Sequence, residues 1–95
     1  MATTALPQVQ TVTLTTGTPT EVTFEKWSGR YLVKNFSDGD IYVSFSADIT
    51  NQIRIASGMG QVCIINERNG AQGQEKANSI FIEGNGDVEV QQLWY

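Results

Sequence analysis

The sequence predicts a small all-β protein, an antiparallel β-sandwich or jelly roll of about eight short strands. Three observations support this fold class. Apolar and polar residues alternate with a period of two through most of the chain, as they do in half-buried strands. Thr, Val and Ile dominate the alternating segments, and these β-branched residues favour strands over helices. Clusters of Gly, Asn, Asp and Ser separate the segments at near-even spacing, and no segment shows the apolar period of a long helix.

The first two strands are predicted within residues 11–15 and 20–25. Residues 11–15 alternate Thr with aliphatic side chains, and residues 17–19 then turn the chain. In the second segment Val22 and Phe24 fall on one face and the charged residues fall on the other. This pattern predicts a strand with one solvated side.

Residues 30–46 predict a hairpin. Residues 30–36 are apolar on both faces, so we expect an inner strand that is covered on two sides. A turn follows at residues 35–39, where Gly39 is free to take a positive φ. Residues 40–46 alternate cleanly, with Ile41, Val43 and Phe45 predicted inward and Tyr42, Ser44 and Ser46 predicted outward.

Two further segments lie in the middle of the chain. Ile53 and Ile55 predict a short strand, followed by a glycine turn. Residues 62–66 begin with four consecutive apolar side chains, which predicts the centre of the core. Residues 67–77 are polar and carry two glycines, so we expect a long exposed loop.

The last strands are predicted around a Gly-Asn-Gly-Asp segment at residues 84–87. Residues 79–83 form the strand before it, and Val88 and Val90 belong to the strand after it. Asn-Gly suits positive φ at both central positions of a tight turn, so we expect these two strands to form a hairpin.

The length allows one domain, over residues 1–95, because a second core would have too little surface left to bury. Residues 1–8 can form an extended N-terminal arm, although frayed termini are the commoner outcome. No apolar run approaches the roughly 18 to 20 residues of a membrane span, and the start lacks the basic and apolar regions of a signal peptide. We therefore expect a soluble, unprocessed protein with no membrane partner.

The charge pattern argues against a nucleic-acid partner. The chain carries ten acidic and six basic residues and a net charge of −4. Nucleic-acid affinity comes largely from neutralising phosphates, and the basic residues here are dispersed along the chain.

The residue chemistry predicts no enzyme. The chain has no His and one Cys, which removes the usual general base, any intramolecular disulfide and any zinc site of the Cys/His type. Cys63 lies in an apolar run and is expected in the core with a raised pKa. Asp38, Asp40 and Asp87 could offer oxygens to calcium, but Asp is also a preferred turn residue, and turn chemistry is the better explanation. We predict no catalytic, cofactor-binding or metal-binding residues.

Self-association is predicted from size. A domain of this length buries only about 60 to 65% of its unfolded surface, and neither disulfides nor metals support it. We therefore expect a homo-oligomer. The candidate anchors are Trp27, Leu93, Trp94 and Tyr95, because large aromatic residues at a chain end are costly to expose. Packing of the last strand on its own core is the alternative, and the sequence does not separate the two.

Residues 30–45, which read RYLVKNFSDGDIYVSF, resemble the small β-sandwich proteins of tailed-bacteriophage particles. In that family a strand ending in Asn precedes a polar turn, an Ile-Tyr-Val strand, a short aliphatic strand and a glycine turn. Residues 53–58 occupy the later segment, and residues 80–90 are similar to the family's closing hairpin. The likeness covers about residues 9–90; residues 67–77 and the aromatic C-terminus depart from it and leave the position in the particle open.

The resemblance implies a non-enzymatic virion structural protein, either a capsid decoration or cement protein or a head or tail accessory. It would lie in the phage particle, and in the cytoplasm of the bacterial host before assembly. We expect a homo-oligomer, with a trimer favoured, bound to the major capsid protein or another virion protein. The alternative is a carbohydrate-binding accessory module of a tail or fibre, with sugars stacked on Tyr42, Trp27 or Trp94 and held by Asp or Asn in the turns. A minimal hydrolase with acidic loops is the weakest reading, because there is no His.

Overall fold

The structure, a computed structural model, describes residues 9–49, 51–65 and 75–93. These residues form eight strands and no helix, as the sequence predicts: β1 Val9–Leu14, β2 Thr20–Ser28, β3 Arg30–Asn35, β4 Ile41–Ser44, β5 Ile53–Ile55, β6 Gly60–Ile64, β7 Ala77–Glu83 and β8 Gly86–Gln92. A search of the described residues for a helix long and apolar enough to cross a membrane finds none.

The strands lie in two four-stranded sheets, which we call sheet 1 (β1-β8-β3-β6) and sheet 2 (β2-β7-β4-β5). Every pairing is antiparallel. The first four strands pair with the last four in reverse order: β1 with β8, β2 with β7, β3 with β6 and β4 with β5. A long antiparallel ribbon folded in this way is a jelly roll, so the topology selects the second of the two predicted architectures.

The core lies between the two sheets. Because strand side chains alternate between faces, each strand contributes every second residue to it. Val22 and Phe24, as well as Ile41, Val43 and Phe45, are buried as predicted, together with residues from the other strands. The most deeply buried apolar side chains are Tyr31, Val33, Ile41, Val43, Ile80, Ile82, Val88 and Val90.

Neither predicted hairpin forms. β3 and β4, which flank residues 36–40, belong to different sheets, and so do β7 and β8 on either side of Gly84 and Asn85. In the described residues β4 and β5 are the only consecutive strands that pair with each other. A turn signal shows where the chain reverses but not which strand becomes its partner, and here the chain crosses between sheets at these turns.

The glycines of the second crossing are required by close approach. A Cβ added to Gly86 would lie 2.6 Å from the Cβ of Ser37, and one added to Gly84 would lie 2.8 Å from Cγ2 of Ile41. Gly86 has a φ of +120°, whereas Asn85 is not in the left-handed region that the predicted turn requires. Gly39, predicted to be free to take a positive φ, does not take one.

The prediction that residues 62–66 form the centre of the core is only partly right, since Cys63 and Ile65 belong to the buried core whereas Val62 and Ile64 do not. Cys63 is buried, but Val62 is 44% exposed and Ile64 is 52% exposed. In the part of the chain that the structure describes, β6 lies at the edge of sheet 1, where one face of the strand meets the core and the other meets solvent.

Three smaller predictions also need correction. β3 is not covered on both faces, because Leu32 is only half-buried and Phe36, just past the strand, is 61% exposed. Ser44 was expected to face outward but is buried. The predicted loop over residues 67–77 ends in a strand, since β7 begins at Ala77; residues 66–74 lie outside the described residues.

Candidate functional site

The strands of the jelly roll run between two ends. At one end β1 begins, β2 passes to β3 and β8 finishes; we call this the terminal end. At the opposite end lie the connections at residues 15–19, 36–40, 56–59 and 84–85; we call this the loop end. The antiparallel register sets this division, because Val9 pairs with Gln91 and Leu14 pairs with Gly86.

The terminal end exposes apolar side chains. Trp27 is 48% exposed, Val9 and Ile64 are exposed to a similar degree, and Leu93 is half-buried. Exposed apolar surface is unfavourable by about 25 cal/mol per Å², and clustered apolar side chains commonly mark an interaction site. The structure therefore brings two of the predicted anchors, Trp27 and Leu93, to the same end of the molecule.

The other predicted anchors, Trp94 and Tyr95, lie outside the described residues, as do residues 1–8. Sequence reasoning missed Val9 and Ile64. Ile64 belongs to the apolar run that predicted a core strand, and its parity in β6 could have shown it facing away from Cys63.

Hydrogen bonds fix the backbone under the terminal end. The buried Gln92 side chain donates from Nε2 to the Lys26 carbonyl at 2.6 Å and to the Tyr31 hydroxyl at 3.1 Å. The Leu93 amide donates to the Arg30 carbonyl at 3.0 Å. The Tyr31 hydroxyl in turn donates to the Ala77 carbonyl, which links sheet 1 to sheet 2. These hydrogen bonds order the segments beside Trp27 and Leu93. A surface that is already ordered loses less conformational entropy when it binds.

The apolar surface continues onto the outer face of sheet 1. Leu32 pairs with Val62 across β3 and β6, and Arg30 pairs with Ile64 in the same register. These side chains share the outward face because they alternate with the buried Tyr31 and Cys63. Further along this face Lys34 Nζ lies 3.4 Å from Glu89 Oε1, and this exposed ion pair contributes at most about 1 kcal/mol.

At the loop end the buried side chain of Asn35 organises the connection between β3 and β4. Its Nδ2 donates to the carbonyls of Gly39 at 2.8 Å and Ile55 at 3.0 Å. Its Oδ1 accepts from the Ser37 amide at 2.9 Å and from the Ser37 hydroxyl at 2.6 Å. Ser57 donates from its hydroxyl to the Ser37 carbonyl at 2.5 Å. Hydrogen bonds from Asn35 and Ser57 therefore hold the turn that carries Asp38 and Asp40.

An open depression of about 650 Å³ lies beside this turn. It is formed by three connections and the starts or ends of the strands they join. The lining residues are Thr16, Gly17, Asp38, Gly39, Asp40, Tyr42, Glu83, Gly84 and Asn85. Asn85 Nδ2 donates to the Thr16 hydroxyl at 2.8 Å, and Arg54 Nη1 lies 3.8 Å from Asp40 Oδ2.

The structure also places Cys63 and Asp87, which the sequence analysis considered as possible site residues. Cys63 is fully buried, as predicted, and burial raises the pKa of its thiol to about 12, so the nucleophilic thiolate is strongly disfavoured. Within the described residues no three Cys, Asp or Glu side chains are placed to hold a metal ion. Asp87, grouped with Asp38 and Asp40 in the calcium alternative, accepts a hydrogen bond from the Thr13 hydroxyl at 2.8 Å on the outer face of sheet 1.

No family model, no curated protein and no solved structure matches this chain.

Proposed function

We propose that this protein is a non-enzymatic structural subunit of a tailed-bacteriophage particle, a capsid decoration or cement protein or another head-associated protein, that acts as a homo-oligomer. The observation that carries the proposal is the terminal end, which leaves Trp27, Val9 and Ile64 exposed and Leu93 half-buried beside a hydrogen-bonded backbone. The jelly roll is a fold found in viral capsid domains, and this supports the proposal by analogy. The resemblance of residues 30–45 to phage particle proteins points the same way.

Assembly through the terminal end has a simple energetic basis. Trp27 and Ile64 are about half exposed, so burying the remainder of each contributes about half of the roughly 1.5 to 3 kcal/mol that full burial of a large apolar side chain gives. Several such side chains on each copy offset the entropy lost on association, provided that their scaffold is already ordered. A trimer is the expected state, in which each copy removes the apolar surface of another from water.

Sedimentation equilibrium on the full chain tests the oligomer. We expect Trp27→Ser to weaken self-association at least tenfold. The matched control is Phe36→Ser, which removes an aromatic side chain that is more exposed than Trp27 but lies at the loop end. A wild-type protein that stays monomeric at high micromolar concentration, or equal effects of the two substitutions, would contradict assembly at the terminal end.

Truncation after Gln92 tests the predicted C-terminal anchors. Removal of residues 93–95 should weaken the oligomer and lower its melting temperature. An unchanged oligomer and an unchanged melting temperature would show that Leu93, Trp94 and Tyr95 are not anchors.

The place in a particle has its own test. Mass spectrometry on particles purified from a culture that expresses this gene should find the protein in fixed proportion to the major capsid protein. Its absence from purified particles, with the protein present in the cell extract, would argue against a virion component.

A further inference from the structure

We propose that the depression at the loop end is a binding site for a sugar ring that is neutral or carries an amine. The site lies at the end opposite the proposed assembly surface and does not depend on it. A copy held through its terminal end would present this depression outward.

The shape of the depression suits a small ligand. Its volume of about 650 Å³ lies within the range of roughly 300 to 1,000 Å³ that is typical of ligand sites. It is open to solvent, as a site that receives the end of a longer chain must be. Three separate connections of the jelly roll line it, so the ligand would be contacted from several sides.

Tyr42 supplies the stacking surface. Among the aromatic residues proposed from the sequence as sugar platforms, Trp27 lies at the terminal end and Trp94 lies outside the described residues. Tyr42 is half-buried on β4 and lines the depression. A tyrosine ring offers an apolar face to the C–H groups of a sugar, and its hydroxyl offers a polar contact.

Hydrogen-bonding groups surround this ring. Asp38, Asp40 and Glu83 provide carboxylate oxygens that accept from sugar hydroxyls, and Thr16 and Asn85 add a hydroxyl and an amide. No three of the described acidic side chains are placed to hold a metal ion, so hydroxyl groups are the better-suited partners for these carboxylates.

The charge of the lining restricts the ligand class. Three carboxylates face the depression, and the only basic group in contact with them in the described residues is Arg54, beside Asp40. The excess negative charge repels uronic and sialic acids and attracts an ammonium group. We therefore expect neutral and amino sugars to bind and acidic sugars to be rejected.

The depression is organised in advance. Asn35 holds the turn of Asp38 by four hydrogen bonds, and Gly86 packs against Ser37 from the other side. A loop that is already fixed in its bound shape loses little entropy when the ligand arrives.

The test is titration of the ¹⁵N-labelled full chain with methyl glycosides, followed by amide chemical shifts. The panel contains neutral hexosides, glucosaminide and galactosaminide, and glucuronide and sialoside. We expect neutral and amino sugars to shift the amides of Gly39, Tyr42 and Asn85 with millimolar affinity, and the acidic sugars to leave them unshifted. Binding of the amino sugars should weaken as salt is added.

Variants locate the contacts. Tyr42→Ala should lower the affinity at least tenfold, whereas Tyr42→Phe keeps the ring and should retain most of it. Asp38→Asn should reduce the preference for amino over neutral sugars. Trp27→Ser, the control at the other end, should weaken self-association and leave sugar binding unchanged.

No shifts with any neutral or amino sugar at tens of millimolar would overturn the proposal. Acidic sugars that bind as well as neutral ones, or a folded Tyr42→Ala variant that binds like the wild type, would do the same. Failure of sugar binding with the oligomer intact would reject this site alone, and loss of the oligomer with sugar binding intact would reject the assembly surface alone.

Discussion

Asn35 shows how one buried polar side chain can define the shape of a loop. Its amide and carbonyl groups make four hydrogen bonds within the turn between β3 and β4 and with β5. The sequence marks Asn35 as a turn former, but a solvent-exposed Asn would do the same. Because Asn35 is buried, its hydrogen bonds connect β3 with the turn that follows it and with β5.

We predict that Asn35→Ala lowers the free energy of unfolding by about 2 to 4 kcal/mol, because the carbonyls of Gly39 and Ile55 would lose a buried donor. Urea unfolding measures the change. Asn85→Ala is the control, since Asn85 is exposed and donates a side-chain hydrogen bond to the Thr16 hydroxyl, and it should cost less than about 1 kcal/mol. Equal losses for the two variants would show that the Asn35 network contributes little.

Two buried residues have raised pKa values, which predicts that alkali destabilises the protein. Burial raises the pKa of Cys63 from 9.0 to about 12, and burial is also the largest cause of the raised pKa of Tyr31, against a smaller lowering by the Gln92 hydrogen bond. Both groups stay protonated in the folded protein at pH values where the unfolded chain ionises. Their contribution to stability is therefore full below pH 9 and declines as the pH rises towards 12.

We predict that the free energy of unfolding falls above pH 9, where Cys63 alone of the two begins to ionise in the unfolded chain, by up to about 1.4 kcal/mol per pH unit. Urea unfolding of the wild type and of Cys63→Ala between about pH 8 and 10.5 measures the slope. Cys63→Ala lowers stability at every pH but should flatten this slope. An identical slope in both proteins would show that Cys63 does not control it.

At the scale of elements, glycine is required where the chain crosses between the two sheets, because neighbouring connections lie close together there. The segment around Gly86 carries the chain from β7 in sheet 2 to β8 in sheet 1, close against Ser37 of the neighbouring connection. Its Gly-Asn-Gly sequence is typical of a hairpin, yet its glycines are needed because two connections touch.

We predict that Gly86→Ala destabilises the protein by at least about 2 kcal/mol, because alanine is strained at a φ of +120° and its Cβ would overlap Ser37. Gly39→Ala is the matched control. No atom lies within 4 Å of its added Cβ and its φ is not positive, so its effect should stay within about 1 kcal/mol of zero. Thermal unfolding of both variants compares them, and a well-tolerated Gly86→Ala would contradict the tight crossing.

The edge position of β6 gives a second prediction at this scale. Val62→Thr should change stability by less than about 0.5 kcal/mol, since the side chain faces solvent, whereas the same change at the fully buried Val90 should cost about 2 kcal/mol by burying a hydroxyl. Chemical denaturation measures both. A larger loss at Val62 than at Val90 would mean that β6 is covered after all.

At the scale of the whole molecule, we propose that one end serves assembly and the other recognition. Trp27, Val9 and Ile64 are exposed at the terminal end, and Tyr42 and three acidic residues line the depression at the loop end, where Phe36 and Met59 are exposed as well. Because a chain of 95 residues has a small core, we expect burial of apolar side chains on association to add to its stability.

We predict that the melting temperature of the wild type rises with protein concentration, because association stabilises the folded state by mass action. Differential scanning calorimetry over a hundredfold concentration range measures the effect. Trp27→Ser should abolish the dependence and Phe36→Ser should preserve it. If the melting temperature of the wild type does not depend on concentration, association does not contribute to its stability.

The sequence by itself determined the positions of the strands and most of the side chains that enter the core, such as Val22, Ile41 and Val88. Alternation with a period of two is a local property, so it survives in any all-β arrangement. The roles of Trp27 and Leu93 as anchors and of Tyr42 as a stacking residue were also predicted from the sequence, and they stay predictions.

Only the tertiary structure decided which strands pair, which strand lies at an edge and which residues share a site. β1 pairs with β8 and β2 with β7, partners far apart in the chain, so no local pattern encodes them. The apolar run of β6 predicts a core strand, because hydrophobicity alone does not reveal whether a second layer covers both faces of a strand. Tyr42, Asn85 and Thr16 meet in one depression because the jelly roll brings three distant connections to the same end.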